Sequence, residues 1–225
     1  MASNPVRRML EPLLNRILLL VARAVVRLVN DDPKLQQLQI EALKGEVRDQ
    51  VERFQEYGFS SVPRPPDENG AAEAVALFVG GDRAHALVVA VDDRRYRLQS
   101  LASGEVALYD DQGNVVHLKR SNVIEVATGD GKASMTLDGP NELITMAHTK
   151  GKVELDGNQQ TIELDPGTGL AKATIRDDRI ELESTSGVKA SVLPGSILLE
   201  ADASTFINIA AGVITYNAAA HNFGP

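Results

Sequence analysis

Between residues 104 and 220 the sequence repeats one short pattern, and that pattern leaves few folds open. Runs such as Val153-Glu154-Leu155, Thr161-Ile162-Glu163-Leu164, Arg179-Ile180-Glu181-Leu182-Glu183 and Ser196-Ile197-Leu198-Leu199-Glu200 recur every ten to twenty residues, separated by Asp-Gly, Gly-Asn or Pro-Gly. Period-two alternation between turn residues predicts β-strands with one buried face each. The filler is Val, Ile, Leu and Ala, and the aromatics are only Tyr109, Phe206, Tyr216 and Phe223. A free-standing sandwich normally draws on bulkier side chains. So many strands with so little volume apiece predict a thin core that neighbouring chains help to close.

Charge divides by region. The first thirty residues carry Arg7, Arg8, Arg16, Arg23 and Arg27 against Glu11, whereas the half after Leu101 holds about twice as many acids as bases. A net charge of -8 and a pI near 5.1 argue against nucleic acid as a main partner. Without cysteine there is no disulfide framework, thiolate metal site or thiol nucleophile. The apolar tract from Leu10 to Val29 is interrupted by Arg16, Arg23 and Arg27, while a membrane span needs roughly twenty apolar residues. No small-residue cleavage site follows it, and the reading is a soluble product of the cytoplasm.

In chain order, Asn4-Pro5 opens a helix with apolar residues at three- and four-residue spacing, assigned to residues 1–22. A hairpin follows, Ala24 to Val29 and Leu35 to Ile40 about the turn Asn30-Asp31-Asp32-Pro33. Gly45 breaks the second strand, and a third starts at Gln50 and runs into Tyr57-Gly58-Phe59. The loop Pro63 to Gly70 precedes two runs, Glu73 to Val79 and His85 to Val91, whose weak alternation predicts strands buried on both faces. Five strands in residues 23–97 fit a small barrel of the OB type, or a five-stranded sandwich. The charged run Asp92-Asp93-Arg94-Arg95-Tyr96-Arg97 marks the boundary. It reads as a solvated corner or, more sharply, as a clamp whose arginines pair with acids of a neighbouring chain.

The tract from Val79-Gly80-Gly81-Asp82-Arg83 through Asp92-Asp93-Arg94-Arg95-Tyr96-Arg97, then Gly104 to Asp110 and His117-Leu118-Lys119-Arg120, resembles the central spike of Mu-like contractile-tailed bacteriophages, also called baseplate assembly protein V. The similar region runs from about Arg23 to Lys119. The resemblance implies a mostly all-β homotrimer: an OB-fold domain at 23–97, a neck at 98–120, an intertwined triple-stranded β-helix at 121–212 and an apex segment at 213–225. It also implies a virion protein assembled in the host cytoplasm, which plugs the tail tube, meets a tail hub protein on its N-terminal side and is driven through the host outer membrane on sheath contraction. The implied load path is backbone hydrogen bonding between chains.

The resemblance raises one metal candidate. Members of the family typically end in His-x-His motifs that hold an axial iron ion, but here only His221 stands near the end, in Ala220-His221-Asn222-Phe223. A trimer would bring three His221 rings to the three-fold axis, a low-coordination site for an axial ion. The stretch from Phe206 to Phe223 is otherwise almost uncharged, which marks a contact surface. It favours a tip finished by a separate small protein of the PAAR-repeat kind. His85, His117 and His148 show no ligand spacing. No catalytic residue or other cofactor site is expected: Asp177-Asp178 reads as a turn, Glu181 and Glu183 point outward, and no aromatic platform for sugars accompanies them. The Gly80-Gly81 and Gly129-Asp130-Gly131 motifs lack a following helix and read as turns. The alternative from another class is a receptor-binding or polysaccharide-cleaving tail fibre.

Overall fold

Alternation in the sequence becomes eighteen strands and one 3-10 turn in a computed structural model, which describes residues 10–12, 17, 20–169, 171–184, 186–202 and 205–217. The chain divides into two compact units, Met1–Arg97 and Leu98–Pro225. Of the helix expected over residues 1–22, residues 10–12 and 17 are helical, Leu20 is a bend, Val21 and Ala22 already belong to the first strand, and the others lie outside the described residues. Among the described residues, no helix is long and apolar enough to cross a membrane.

The first unit holds β1 (Val21–Asn30), β2 (Gln37–Leu43), β3 (Glu46–Arg53), β4 (Glu73–Phe78) and β5 (Ala86–Asp92). They close into a barrel in the order β1-β2-β3-β5-β4, with β4 returning to β1. All neighbours are antiparallel except β3 and β5, which meet in parallel through only Glu52↔Leu87 and Arg53↔Val88. This is the barrel of the OB type and not the sandwich. Beyond that short contact β3 is tied to the turn that leads into β5: Arg83 pairs with Glu46, and the Arg48 guanidinium donates to the Arg83 carbonyl at 3.1 Å.

A five-stranded barrel has a narrow interior, and alanine fills much of it. Ala24, Ala72, Ala74, Ala76 and Ala86 line the core with Val26, Leu38, Ile40, Val51 and Val88, and Phe78 is its one aromatic. The expectation that the last two runs are buried on both faces is corrected here. Ala74, Ala76 and Phe78 point inward from β4 while Val75 and Leu77 are only partly covered, and on β5 Val89 is 45% exposed. Small residues inside and aliphatic residues outside flatten the alternation that would have shown one face.

The third strand also starts earlier than its pattern suggests. Gly45, at φ 80°, closes a tight turn from β2 directly into β3. Gln50 then adopts φ 55° as the register shifts from Ile40↔Arg48 to Leu38↔Val51, a bulge that resets the alternation. After Arg53 the chain leaves the sheet, and Tyr57 to Phe59 lie in a loop.

That loop is held by a buried arginine. Arg53, 7% exposed, donates to Gln36 Oε1 at 2.8 Å, to the Ser61 carbonyl at 2.8 Å and to Ser61 Oγ at 2.9 Å. Gln36 in turn donates to Asp31 Oδ1 at 2.6 Å. Burial pushes the guanidinium down from its usual range, and the Asp31 charge opposes the shift. Arg53→Ala leaves buried acceptors without donors, at about 1–3 kcal/mol each. The expected result is a fall in the urea midpoint of the barrel unit with an unchanged m-value, equivalent to about 3 kcal/mol.

The second unit is one antiparallel sheet of thirteen strands in strict sequence order. It begins with β6 (Val106–Tyr109), β7 (Val115–Lys119), β8 (Val123–Ala127), β9 (Ala133–Asp138) and β10 (Leu143–His148). It continues through β11 (Gly151–Asp156), β12 (Thr161–Asp165), β13 (Ala171–Ile175) and β14 (Ile180–Ser184). It finishes with β15 (Lys189–Leu193), β16 (Ser196–Asp202), β17 (Thr205–Ala210) and β18 (Val213–Asn217). The resemblance implied hydrogen bonding between chains; here each short turn folds a strand back on its predecessor, and the ladder from β6 to β18 forms within one chain.

The turns form columns along both edges. On one edge, Gly129 N donates to Asn114 Oδ1 at 3.0 Å and Thr149 N to the Lys132 carbonyl at 3.1 Å. On the other, Gly139 N donates to the Asn122 carbonyl at 3.2 Å and Gly157 N to the Glu142 carbonyl at 2.8 Å. From β6 to β12 each turn is thus bonded to the next turn on its side, two strands away.

Candidate functional site

Because side chains alternate across a strand, the register fixes what each face of the sheet presents. On one face, two apolar rows run the length of the ladder. The first reads Val106, Leu118, Ile124, Leu137, Ile144, Leu155, Ile162, Ile175, Ile180, Val192, Ile197, Ile209 and Ile214. The second reads Leu108, Val116, Val126, Met135, Met146, Val153, Leu164, Ala173, Leu182, Ala190, Leu199 and Ile207. This face is largely open. Val106 at one end is 62% exposed, Leu182 55% and Ile214 at the other end 66%. Exposed apolar patches on a soluble monomer rarely exceed a few hundred Å², and a stripe two residues wide over thirteen strands is far longer than such a patch.

The opposite face carries one central polar row, with His117, Glu125, Thr136, Thr145, Glu154, Glu163, Thr174, Glu181 and Ser191 in successive strands. Its charges are balanced by basic partners on the same strand, on neighbouring strands and in a turn. Glu154 and Glu163 stand directly opposite one another, an unfavourable like-charge pair by itself. Lys152 lies 2.9 Å from Glu154 and 3.7 Å from Glu163, and Lys172 2.5 Å from Glu163. The bond to Glu154 raises the Lys152 ammonium above its usual range. Lys119 pairs with Glu125, and Arg176 with Glu181 at 2.5 Å. From β15 onward this row is neutral, with Ser191 followed by Leu198, Asn208 and Thr215. Val213, on the same face, is 60% exposed.

The residues weighed for chemistry occupy other roles. Asp178 is paired with Arg179 at 2.6 Å, Glu181 with Arg176, and Glu183 with Lys189 at 3.0 Å. His117 Nε2 lies 3.2 Å from Glu105 Oε2. The Glu105 carboxyl is held below its usual range by the Ala102 amide, with further help from the Arg120 amide and His117. His148 Nδ1 accepts the Lys150 amide at 3.1 Å, and His85 precedes β5. Among the described residues no group of three or more His, Asp or Glu could hold a metal ion. His221, the axial candidate, lies outside the described residues.

The inter-chain clamp at the charged boundary is corrected. Arg94 pairs with Glu73 at 3.0 Å and Arg95 with Asp93 at 2.6 Å, both within the barrel unit. Arg95, with its side chain 7% exposed, also donates to the Pro65 and Gly70 carbonyls at 3.0 and 3.1 Å, pinning the proline-rich loop. Hydrogen bonding to Asp93 raises its guanidinium above the usual range. Like Arg53, it acts through loop carbonyls far away in sequence, which no local spacing reveals.

A family model described as Bacteriophage Mu Gp45, N-terminal, matches residues 23–95, a span that takes in the five barrel strands except the first two residues of β1. Over 167 residues the chain is 38% identical to the baseplate puncturing device gp45 of Escherichia phage Mu, covering 69% of this chain and 82% of the relative. Over 162 residues it is 37% identical to the Mu-like prophage FluMu protein gp45 of Haemophilus influenzae, covering 68% and 83%. Among solved structures, the TCP domain of SAS-4 (dCPAP) from Drosophila melanogaster has 12% identity and a TM-score of 0.39 over 51% of this chain and 77% of that one, too slight a likeness to carry weight. With the barrel matched by the family model and the relationship extending through most of each relative, the chain belongs to the Mu gp45 family of phage baseplate proteins.

Proposed function

We infer that this chain is the baseplate central spike of a Mu-like contractile-tailed phage, a structural part of the virion tail that works as a homotrimer. The observation that carries the reading is the exposed two-row apolar face. Packed sheets lie about 10 Å apart, so each contributes side chains about 5 Å deep. A five-residue strand spans about 16 Å, and a triangle with sides of that length has its centre about 5 Å from each side. Three sheets therefore enclose a filled interior. Four would leave their walls about 8 Å from the axis and a hole between them, and two would leave the flanks open.

In this reading the apolar rows face the three-fold axis and the ion-paired row faces outward. The divisions 98–120, 121–212 and 213–225 become neck, shaft and apex, and the barrels meet the tail hub on the N-terminal side. The neutral C-terminal strands suit a covered tip, completed by a separate PAAR-like protein or by an axial ion at His221. On sheath contraction the spike leaves the tube it plugs and pierces the host outer membrane. The paired carboxylates of the outer face suit a structural part better than a polysaccharide-cleaving fibre, which needs free carboxyls in a sugar groove.

The full chain is expected at three times its 24.2 kDa mass, 72.6 kDa, by native mass spectrometry. Antibody to the sheet unit should label the baseplate of intact virions and the host envelope after contraction. Virions labelled anywhere but the baseplate would overturn the spike, and a 24.2 kDa species at micromolar concentration would overturn the trimer.

A further inference from the structure

Resting on the three-sheet reading above, we propose that strands β13 and β15 are the grip of the assembly, where β-branched side chains of one copy seat against Ala173 and Ala190 of the next. Along β12 to β16 the second apolar row alternates large and small: Leu164, Ala173, Leu182, Ala190, Leu199. The first row is β-branched on every one of these strands, with Ile175 beside Ala173 and Val192 beside Ala190 on the same face. The two alanine rungs, each between leucines, lie in a hollow of this face that runs from Leu164 past Leu199 to Ile214. The hollow is continuous with the exposed rows above and below it.

The occupant follows from symmetry. A cyclic three-fold arrangement is head-to-tail, so each copy offers a different edge of its face to each neighbour. At every corner of the prism the first row of one copy meets the second row of the next. The β13 and β15 levels then pair Ile with Ala and Val with Ala, while β14 pairs Ile180 with Leu182. Protein interiors are packed to crystal-like density, so the sheets draw together where the pair is small. A β-branched side chain has few rotamers to lose on being clasped there.

The test is the full-length chain with Ala173→Leu and Ala190→Leu together, read by native mass and by the concentration at which trimer dissociates. Overpacking a filled interface at two levels in three copies should raise that concentration by about tenfold or more. The swap Ala173→Leu with Ile175→Ala exchanges large and small on one strand and keeps the corner volume, so it should return dissociation towards wild type. Ala147→Leu, on the polar face of the same sheet, should change nothing. If both Ala173→Leu variants dissociate as wild type does, the grip is wrong and the trimer stands. If the swap is no better than the double leucine variant, volume at that corner is not what holds the copies. A wild-type monomer overturns the three-sheet reading itself.

Discussion

Aspartate in place of Ile180 is expected to turn the proposed 72.6 kDa trimer into a 24.2 kDa monomer while leaving the barrel unit folded. Ile180 lies on β14 in the first apolar row, between Ile175 and Val192. In a closed prism the change places three carboxylates close together in an apolar interior, without a cation within reach among the row's own side chains. A buried charge without a partner costs several kcal/mol even after relaxation, and three like charges add repulsion. Neutralising them by protonation is the cheaper escape, so mass measured at low pH should recover part of the trimer. Glu181→Gln, one residue along and on the opposite face, is the control. Its pair with Arg176 lies on the face that the proposed trimer leaves outside, where such pairs contribute about 0–1 kcal/mol, and the mass should stay at that of the trimer. An Ile180→Asp chain that remained trimeric would mean that this face looks outward.

The rows that make this prediction possible are readable in the sequence, because period two survives wherever a strand is half polar. Ile162-Glu163-Leu164 and Ile180-Glu181-Leu182 each state which residues share a face, and the turn residues between them set the strand count. What the alternation cannot supply is partner choice. The same pattern fits a ladder shared between chains and one closed within a chain, and the length of the turns decides it. The barrel was legible in outline only. β4 carries alanine inside and valine and leucine outside, so burial leaves no contrast in polarity. The β3 bulge at Gln50 broke the pattern in the middle of a strand and moved its apparent start. The roles of Arg53 and Arg95 left no local signal, since their acceptors are carbonyls of loops eight to thirty-one residues away. The charge run stands where the chain divides into its two units, and its Arg94 and Arg95 pair within the barrel unit.

Gly129→Ala should destabilise the sheet by about 3 kcal/mol, far more than its one added methyl suggests. A Cβ at Gly129 would lie 1.8 Å from the Gln112 carbonyl oxygen and 2.9 Å from the Gly113 carbonyl carbon. Both belong to the backbone of the turn stacked beside it, so neither can swing away. Gly131→Ala, two residues on, makes a clean comparison. Gly131 sits at φ 69° with open space around its Cβ position, so alanine there costs only the left-handed backbone, about 1 kcal/mol. The difference between the two variants isolates the contact between turns. If the turn columns carry axial load, Gly129→Ala lowers the melting temperature and speeds hydrogen exchange at the amides of residues 110–114 as well as 128–132. Gly131→Ala affects only its own turn. In the proposed spike the strands lie across its axis, so compression would act from strand to strand and from turn to turn. A shaft whose stiffness came from its apolar rows alone would show no difference between the two glycines beyond the local one.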